Sequence, residues 1–285
     1  MYFLNLRSPV IVFSIVLLIL TGCNKEPDTP ALDTSDADLE TLFDDSFEEV
    51  DAIVESSLAL YDIYGRVAES TEGELEELIG CAIKNHDPDN QKITIDFGDG
   101  CIGLLGRVRK GIIIITYTDK VFIPGSKTVI TFDNFYVNDI KVEGIRTLEN
   151  VSASIFEAPE FYIKLEGGRL TWPEEKGGGF AEREVYLYKT WMRASNPLND
   201  EFIVEGVASG KNRNGVNYNM RILSAIKYKR ACWAAGVFLP VEGVKEVKTD
   251  AKEVLIDFGN GECDRTITIM IDGIVKEYQH TWPGE

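Results

Sequence analysis

The sequence predicts a mainly β fold, in which an antiparallel meander or sandwich-like body follows an N-terminal amphipathic helix. Apolar and polar residues alternate from Cys81 onward, as in the segment 93–97 (ITIDF), and this period of two is typical of half-buried strands. Residue pairs suited to tight turns, Gly167-Gly168, Asn214-Gly215 and Asp272-Gly273, separate several of these segments. Helical patterns of about 10–15 residues do not separate them, which argues against a parallel sheet.

The predicted strands are rich in β-branched and aromatic residues, which suit a pleated and half-buried surface. After 93–97 they cover 111–118, 128–137, 140–146, 161–166, 184–192, 202–209, 216–224, 226–240, 253–258, 266–272 and 273–280. The pattern does not choose between a sandwich and one long curved meander. In either case residues 81–285 form the body of the protein.

Residues 1–22 have the composition of a signal peptide. The apolar run from Val10 to Leu20 is shorter than the ~20 residues of a membrane-crossing helix, and Arg7 precedes it. The tetrapeptide Leu20-Thr21-Gly22-Cys23 resembles the lipobox of bacterial lipoproteins. The resemblance implies cleavage before Cys23, lipidation of its thiol and attachment to a membrane through the acyl chains.

The segment after Cys23 is polar and acidic. Its first residues, Asn24-Lys25-Glu26-Pro27-Asp28, look like the surface-export signal of Bacteroidetes lipoproteins. This implies a lipid anchor in the outer membrane and exposure on the cell surface, with a periplasm-facing protein as the alternative. Residues 23–37 are rich in Pro, Asp and Thr, which predicts a flexible acidic tether.

Residues 38–80 are predicted to form an amphipathic acidic helical segment. Apolar residues recur in steps of three and four, which places them on one helix face; they are Leu39, Leu42, Phe43, Phe47, Val50, Ile53, Val54, Leu58, Tyr61, Tyr64 and Val67. The opposite face is acidic and carries Asp44, Asp45, Glu48, Glu49, Asp51 and Glu55. We expect the apolar stripe to pack on the protein's own sheet. A structural subunit that docks a partner through this helix is the alternative.

Charge is distributed unevenly along the chain. Of the 47 acidic residues, 18 lie between Asn24 and Gly80, together with only two of the 29 basic residues. We expect this acidic block to remain solvated, with cation or partner binding as the alternative. The formal net charge of −18 argues against nucleic acid as a partner, because its phosphates would repel the chain.

Four cysteines remain besides Cys23, and an even number in an exported protein predicts two disulfides. Three pairings are possible. The motif 93–101 (ITIDFGDGC) recurs at 254–263 (VLIDFGNGEC), and each copy has another cysteine upstream. This repeat favours Cys81–Cys101 and Cys232–Cys263, because each bond then ties a motif strand to the segment before it.

Several segments in order resemble a family of uncharacterised Bacteroidetes lipoproteins with a lipobox and a repeated IDFGxG(x)C motif. They are 95–101 (IDFGDGC), 113–118 (IIITYT), 124–126 (PGS), 132–147 (FDNFYVNDIKVEGIRT), 208–218 (ASGKNRNGVNY), 229–233 (KRACW) and 256–264 (IDFGNGECD). The resemblance covers most of residues 81–280. It implies localisation and architecture but no reaction.

Two loops with oxygen ligands follow the repeated strands. Asp96 with Asp99, and Asp257 with Asn260, have the close spacing of calcium loops, but neither loop has the acidic series and distal Glu of a calcium site. Their glycines favour simple turns. We therefore expect no cofactor and no metal, with calcium as the weaker alternative. The chain has only two histidines, which excludes a multi-histidine zinc centre.

Tryptophans are the best candidates for ligand binding. Trp172 and Trp282 lie in identical Thr-Trp-Pro triplets at the ends of predicted strands, where an indole ring can stack on a sugar; packing in the core is the alternative. Sequence motifs of catalysis, such as a Gly-x-Ser-x-Gly elbow or a Walker loop, do not occur. We therefore expect a non-catalytic surface or envelope module that binds a glycan, a peptide or an envelope protein. A carbohydrate-active hydrolase is the alternative, since carboxylate pairs are plentiful.

Overall fold

The computed structural model describes residues 32–61, 76, 78–103 and 106–281. Within these residues a long helix, α1 (Ser35–Leu60), precedes a 14-stranded antiparallel sheet. Its strands are β1 (Ile83–Asp87), β2 (Lys92–Asp96), β3 (Cys101–Ile102), β4 (Val108–Tyr117), β5 (Lys127–Val137), β6 (Ile140–Asn150), β7 (Glu160–Thr171), β8 (Phe180–Met192), β9 (Glu201–Lys211), β10 (Asn217–Lys229), β11 (Glu242–Lys248), β12 (Glu253–Asn260), β13 (Thr266–Ile271) and β14 (Ile274–Gln279). Short helical turns lie at Glu174–Lys176, Pro197–Asn199 and Arg230–Trp233.

Neighbouring strands in the sheet are also neighbours in the chain. The order runs β1-β2-β4-β5 and then consecutively to β14, and β3 pairs with β4 beside this path. The predicted mainly β, antiparallel fold with an N-terminal helix is confirmed, and the single sheet makes the body a meander rather than a sandwich. In the described part of the chain, β1 and β14 are the two edges of this sheet.

The sheet curls around α1. Every residue between Asp36 and Ala59 is buried except Asp38, which is half-buried. Strands β4, β6, β8, β11 and β14 all donate side-chain hydrogen bonds to the helix. The expectation of a solvated acidic face is therefore wrong, because both faces of α1 are covered by the protein's own sheet. This burial also leaves α1 without an exposed stripe for docking a partner.

The apolar stripe of α1 packs into the inner face of the sheet. The rings of Phe43 and Phe47 stack with centroids 6.3 Å apart, and Phe47 meets Phe132 of β5 edge to face at 6.2 Å. Buried hydroxyl groups on α1 form hydrogen bonds within the helix. The Thr41 side chain, for example, donates to the Ala37 carbonyl one turn earlier at 2.7 Å. No helix within the described residues is both long enough and apolar enough to span a bilayer.

Glycines at β-bulges allow the sheet to bend this sharply. Gly111 interrupts the register of β4 against β5 with φ +80°, and a Cβ there would lie 1.9 Å from the carbonyl oxygen of Asn134. Gly243 interrupts the register of β11 against β12 with φ +109°, and its Cβ would lie 2.4 Å from the carbonyl oxygen of Ala225. Since bulges increase local bend and twist, these residues let the strands wrap a helix.

Some local predictions are wrong. Gly167-Gly168 is a bulge inside β7 and not a hairpin turn, whereas Asn214-Gly215 and Asp272-Gly273 do connect strands. The predicted strand 226–240 ends at Lys229, and the apolar residues after it fill the core from a helical turn and a loop. Helix α1 begins at Ser35, inside the predicted tether 23–37, and ends at Leu60. Residues 62–75 of the predicted helical segment 38–80, which include Tyr64 and Val67, lie outside the described residues.

Both favoured disulfides are confirmed. Cys81 is bonded to Cys101 with the Cα atoms 5.6 Å apart, and Cys232 to Cys263 with the Cα atoms 5.2 Å apart. Each bond joins a repeated motif to the segment before it, as the internal repeat predicts. Cys232 lies in a buried apolar cluster with Val237 and Leu239.

Candidate functional site

Acidic side chains of α1 pair with basic side chains of the surrounding body. Among the described residues this buried network contains Glu40, Asp44, Asp45, Glu48, Glu49, Asp51 and Glu55 from the helix, and Arg107, Arg109, Arg146, Arg183, Lys189, Arg230 and Lys245 from the body. All of these side chains are buried. The two sets are equal in number, so the formal charges within this network cancel.

The contacts in the network are short and often bidentate. Asp51 accepts hydrogen bonds from Nε and Nη2 of Arg146, each at 2.7 Å. Glu49 accepts from Arg107 Nη1 at 2.6 Å and from Arg109 Nε at 2.8 Å. Geometry of this kind is needed if attraction between buried charges is to offset their loss of hydration.

Burial and neighbouring charges shift the pKa values of these carboxyl groups in different directions. Burial raises the pKa of Asp45 to about 7, although Arg107 beside it acts in the opposite sense. Burial also raises the pKa of Glu48, which pairs with Lys189. Burial acts in the same way on Glu49, but Arg109 and Arg107 outweigh it and hold the pKa of Glu49 below its ordinary value.

Perturbed pKa values often mark catalytic clefts, but these carboxylates have no room for a substrate. One cavity between α1 and the sheet, lined by Asp44 and Glu48, holds about 30 Å³. Another, lined by Asp51 and Glu55, also holds about 30 Å³. Each volume suits one or two water molecules at most. The network therefore holds α1 in place, and these two cavities are too small for a sugar substrate.

An open pocket of about 540 Å³ lies at the N-terminal end of α1, and we call it the end pocket. Its walls include Asp38 in the first turn of α1, Trp172 directly after β7, Arg213 in the turn between β9 and β10, and Lys276 and Tyr278 on β14. This volume falls within the roughly 300–1,000 Å³ of small-ligand sites. Segments far apart in the chain meet here because the sheet curls.

Hydrogen bonds hold several side chains of the end pocket in place. The guanidinium of Arg213 lies 4.4 Å from the centroid of the Trp172 ring and donates to the Gly178 carbonyl at 2.6 Å. Asp38 accepts one hydrogen bond from the Tyr278 hydroxyl at 2.5 Å and another from the Thr34 hydroxyl at 2.7 Å. Burial, followed by the bond to Asp38, raises the pKa of Tyr278. The tyrosine is therefore neutral over the physiological pH range.

The pocket has an excess of positive charge. Lys276 is exposed, and no described residue forms an ion pair or a hydrogen bond with its ammonium group. Arg213 is also exposed. Asp38 is the acidic residue of the wall, and both of its oxygens already accept hydroxyl groups. The end pocket can therefore donate hydrogen bonds and attract an anionic group.

Comparison of the chain with protein-family models, with curated proteins and with solved structures finds no match. The pocket combines an aromatic ring, two cations and several hydrogen-bonding groups, as binding sites for polar ligands commonly do.

Of the two candidate tryptophans, Trp172 lies within the described residues. Trp172 is in the wall of the end pocket but is only 6% exposed, and Arg213 lies over its ring. Its position favours packing over the expected open platform for sugars. Trp282 and the lipidation residue Cys23 lie outside the described residues.

The first aspartate of each calcium candidate makes the same side-chain contact in both copies of the repeat. Asp96 Oδ1 accepts the Gly98 amide at 2.8 Å, and Asp257 Oδ1 accepts the Gly259 amide at 2.9 Å. In the part of the chain that the structure describes, no group of three or more His, Cys, Asp or Glu side chains could hold a metal ion. Asp99 lies in the turn after β2, as the glycine-rich loop sequence predicts, whereas Asn260 is the last residue of β12 and pairs with Glu242 of β11.

Sequence reasoning did not identify Arg213, Lys276, Tyr278 or Asp38. Each lies in an ordinary local context: a polar turn, an edge strand or the start of a helix. Only the Thr-Trp-Pro triplet pointed to this part of the molecule. The other residues become a site through contacts between chain segments that are distant in sequence.

Proposed function

We propose that the protein is a lipid-anchored lipoprotein of the outer membrane and that its body is a non-catalytic binding module without a resident cofactor. The signal peptide 1–22, the lipobox that ends at Cys23 and the following Asn24–Asp28 segment support the anchor and its exposure on the cell surface. A periplasm-facing orientation is the alternative.

Replacing Cys23 with serine should abolish attachment to the membrane. Without the thiol there is no acceptor for the lipid, and stable anchoring needs more than one acyl chain. Phase partition with the detergent Triton X-114 measures this: wild type should enter the detergent phase and Cys23→Ser the aqueous phase. Protease treatment of intact cells then reports the orientation. Equal partition of the two proteins would contradict the lipid anchor.

The observation that carries the binding proposal is the end pocket. A pocket of about 540 Å³ with Trp172 and Arg213 on one side and Lys276 and Tyr278 on the other can hold a polar ligand. Hydrogen bonds hold Arg213 against the Gly178 carbonyl and Tyr278 against Asp38, which restricts these two side chains of the wall. A rigid pocket favours binding because little conformational entropy is lost on association.

The hydrolase alternative receives less support. A glycosidase needs two carboxyl groups about 5–10 Å apart on either side of an accessible substrate. The carboxylates with raised pKa values, Asp45 and Glu48, are buried against Arg107 and Lys189 beside α1. In the end pocket, Asp38 is occupied by the hydroxyl groups of Tyr278 and Thr34.

Substitution of Lys276 with glutamate should weaken ligand binding by at least about tenfold, because it turns the cation of the pocket into an anion. Glycan and peptide arrays probed with the full chain in detergent provide the measurement. Lys92→Glu is the matched control: it makes the same charge change on a strand at the other end of the sheet order. A folded wild type that binds neither array, or an equal loss in both variants, would contradict binding at the end pocket.

A further inference from the structure

The edge of the sheet at β14 lies directly beside the end pocket. Among the described residues β14 pairs with β13 on one side, and no strand pairs with its other side. Five of its six residues are exposed, including Ile274 and Val275. A free strand edge presents a row of unpaired amide and carbonyl groups, which template the addition of another strand.

The same strand forms one wall of the end pocket. Lys276 and Tyr278 alternate along β14 and therefore project from the same face of the sheet. A chain segment added to the free edge would place every second side chain on this face. Adjacent strands lie about 4.8 Å apart, so a side chain opposite Lys276 would lie within reach of its ammonium group.

The charges in the end pocket determine which type of peptide side chain would bind there. Arg213 and Lys276 are exposed cations, whereas Asp38 already accepts the hydroxyl groups of Tyr278 and Thr34. A carboxylate would gain two attractive partners here. A lysine or arginine at this position would face like charges.

We propose that β14 and the end pocket together bind an extended acidic peptide segment of a partner protein. The peptide main chain pairs with the free edge of β14, and one Asp or Glu side chain enters the end pocket between Lys276 and Arg213. This inference rests on the proposed binding function and names the ligand class of the same site. A peptide suits the edge better than a glycan does, since only a polypeptide repeats amide and carbonyl groups at the spacing of a strand.

A positional-scanning library of octapeptides provides the test. The peptides are acetylated and amidated, alternate Thr and Val, and carry each amino acid in turn at each position. Binding to the full chain in detergent is measured by fluorescence anisotropy. We expect Asp or Glu to be preferred at one position, with the corresponding Asn or Gln peptide at least about tenfold weaker. N-methylation of alternate amides replaces N–H by N–CH3 on the main chain and leaves the side chains unchanged, and it should weaken the best peptide by at least about tenfold.

Variants of the protein locate the interaction. Lys276→Glu should remove the preference for an acidic residue, whereas Lys92→Glu should leave the affinity unchanged. The inference is overturned if no position prefers an acidic residue or if N-methylated peptides bind as well as their parents. It is also overturned if peptides bind only after deletion of residues 24–31, since the chain's own tether would then be the occupant.

The binding experiments distinguish a failure of this inference from a failure of the proposed function. If glycans bind in a Lys276-dependent manner and peptides do not, the end pocket is a binding site but the acidic-peptide inference is wrong. If neither glycans nor peptides bind a folded wild type, both proposals fail.

Discussion

Replacing Glu49 with glutamine should destabilise the protein by about 3–5 kcal/mol, because it leaves a buried guanidinium without its counter-charge. The hydrogen bonds of the Arg109 side chain to described residues all go to Glu49. Arg107 would keep its ion pair with Asp45, but glutamine offers one acceptor oxygen in place of the two that Arg107 and Arg109 use. Folded domains have net stabilities of about 5–15 kcal/mol, so a loss of this size would be a large fraction of the total.

Urea unfolding followed by circular dichroism measures the free energy of unfolding of this variant. Glu253→Gln is the matched control: Glu253 pairs with Lys248 at 2.9 Å, but both side chains are about half exposed, and the cost should be below about 1 kcal/mol. A second variant combines Glu49→Gln with Arg109→Met. It removes the unpaired guanidinium of Arg109 and should recover part of the lost stability. Equal costs for Glu49→Gln and Glu253→Gln would contradict the structural role of the buried network.

The buried network explains how α1 adopts one position along its axis inside the sheet. Contacts occur along almost the whole of α1, from Glu40 with Arg183 to Glu55 with Arg230. A shift of the helix by one turn would move each carboxylate by about 5.4 Å and separate it from its cation. Apolar packing alone would tolerate such a shift better, since hydrophobic contacts are not directional. The charges therefore specify the register of α1 inside the sheet.

The strands were predictable where the inner face is apolar. β13 alternates clearly, β4 and β5 are rich in β-branched and aromatic residues, and the sequence identified all three to within a few residues. β11 (Glu242–Lys248) was missed because the buried Lys245 stands at an inner position and breaks the apolar alternation. β1 (Ile83–Asp87) was missed because its sequence is polar, as befits an edge strand.

The burial of the acidic helix was not predicted, although β8 contains a signal for it. Arg183 and Lys189 have the same parity along the strand as Val185 and Trp191, so the alternation places two cations on the core face. Buried cations need buried anions. Their identity could not be read locally, because the acidic partners lie more than 130 residues away: Arg183 pairs with Glu40, and Lys189 with Glu48.

Removing the Cys232–Cys263 disulfide by a double alanine substitution should destabilise the protein by about 3–4 kcal/mol, since it releases a loop of 31 residues in the unfolded chain. The shorter Cys81–Cys101 loop of 20 residues is the matched control and should cost slightly less when both of its cysteines are replaced by alanine. Urea unfolding without reductant measures each variant. A chain with all four substitutions should unfold at the same urea concentration as wild type with excess dithiothreitol. If either pair of substitutions leaves the stability within about 1 kcal/mol of wild type, that disulfide does not constrain the unfolded chain as the loop length requires.

The Cys232–Cys263 loop contains β11 and β12, and β11 carries Lys245 of the buried network. Loss of the Cys232–Cys263 disulfide should therefore also weaken the contacts between this part of the sheet and α1. Hydrogen exchange would report this as weaker protection of the α1 amides.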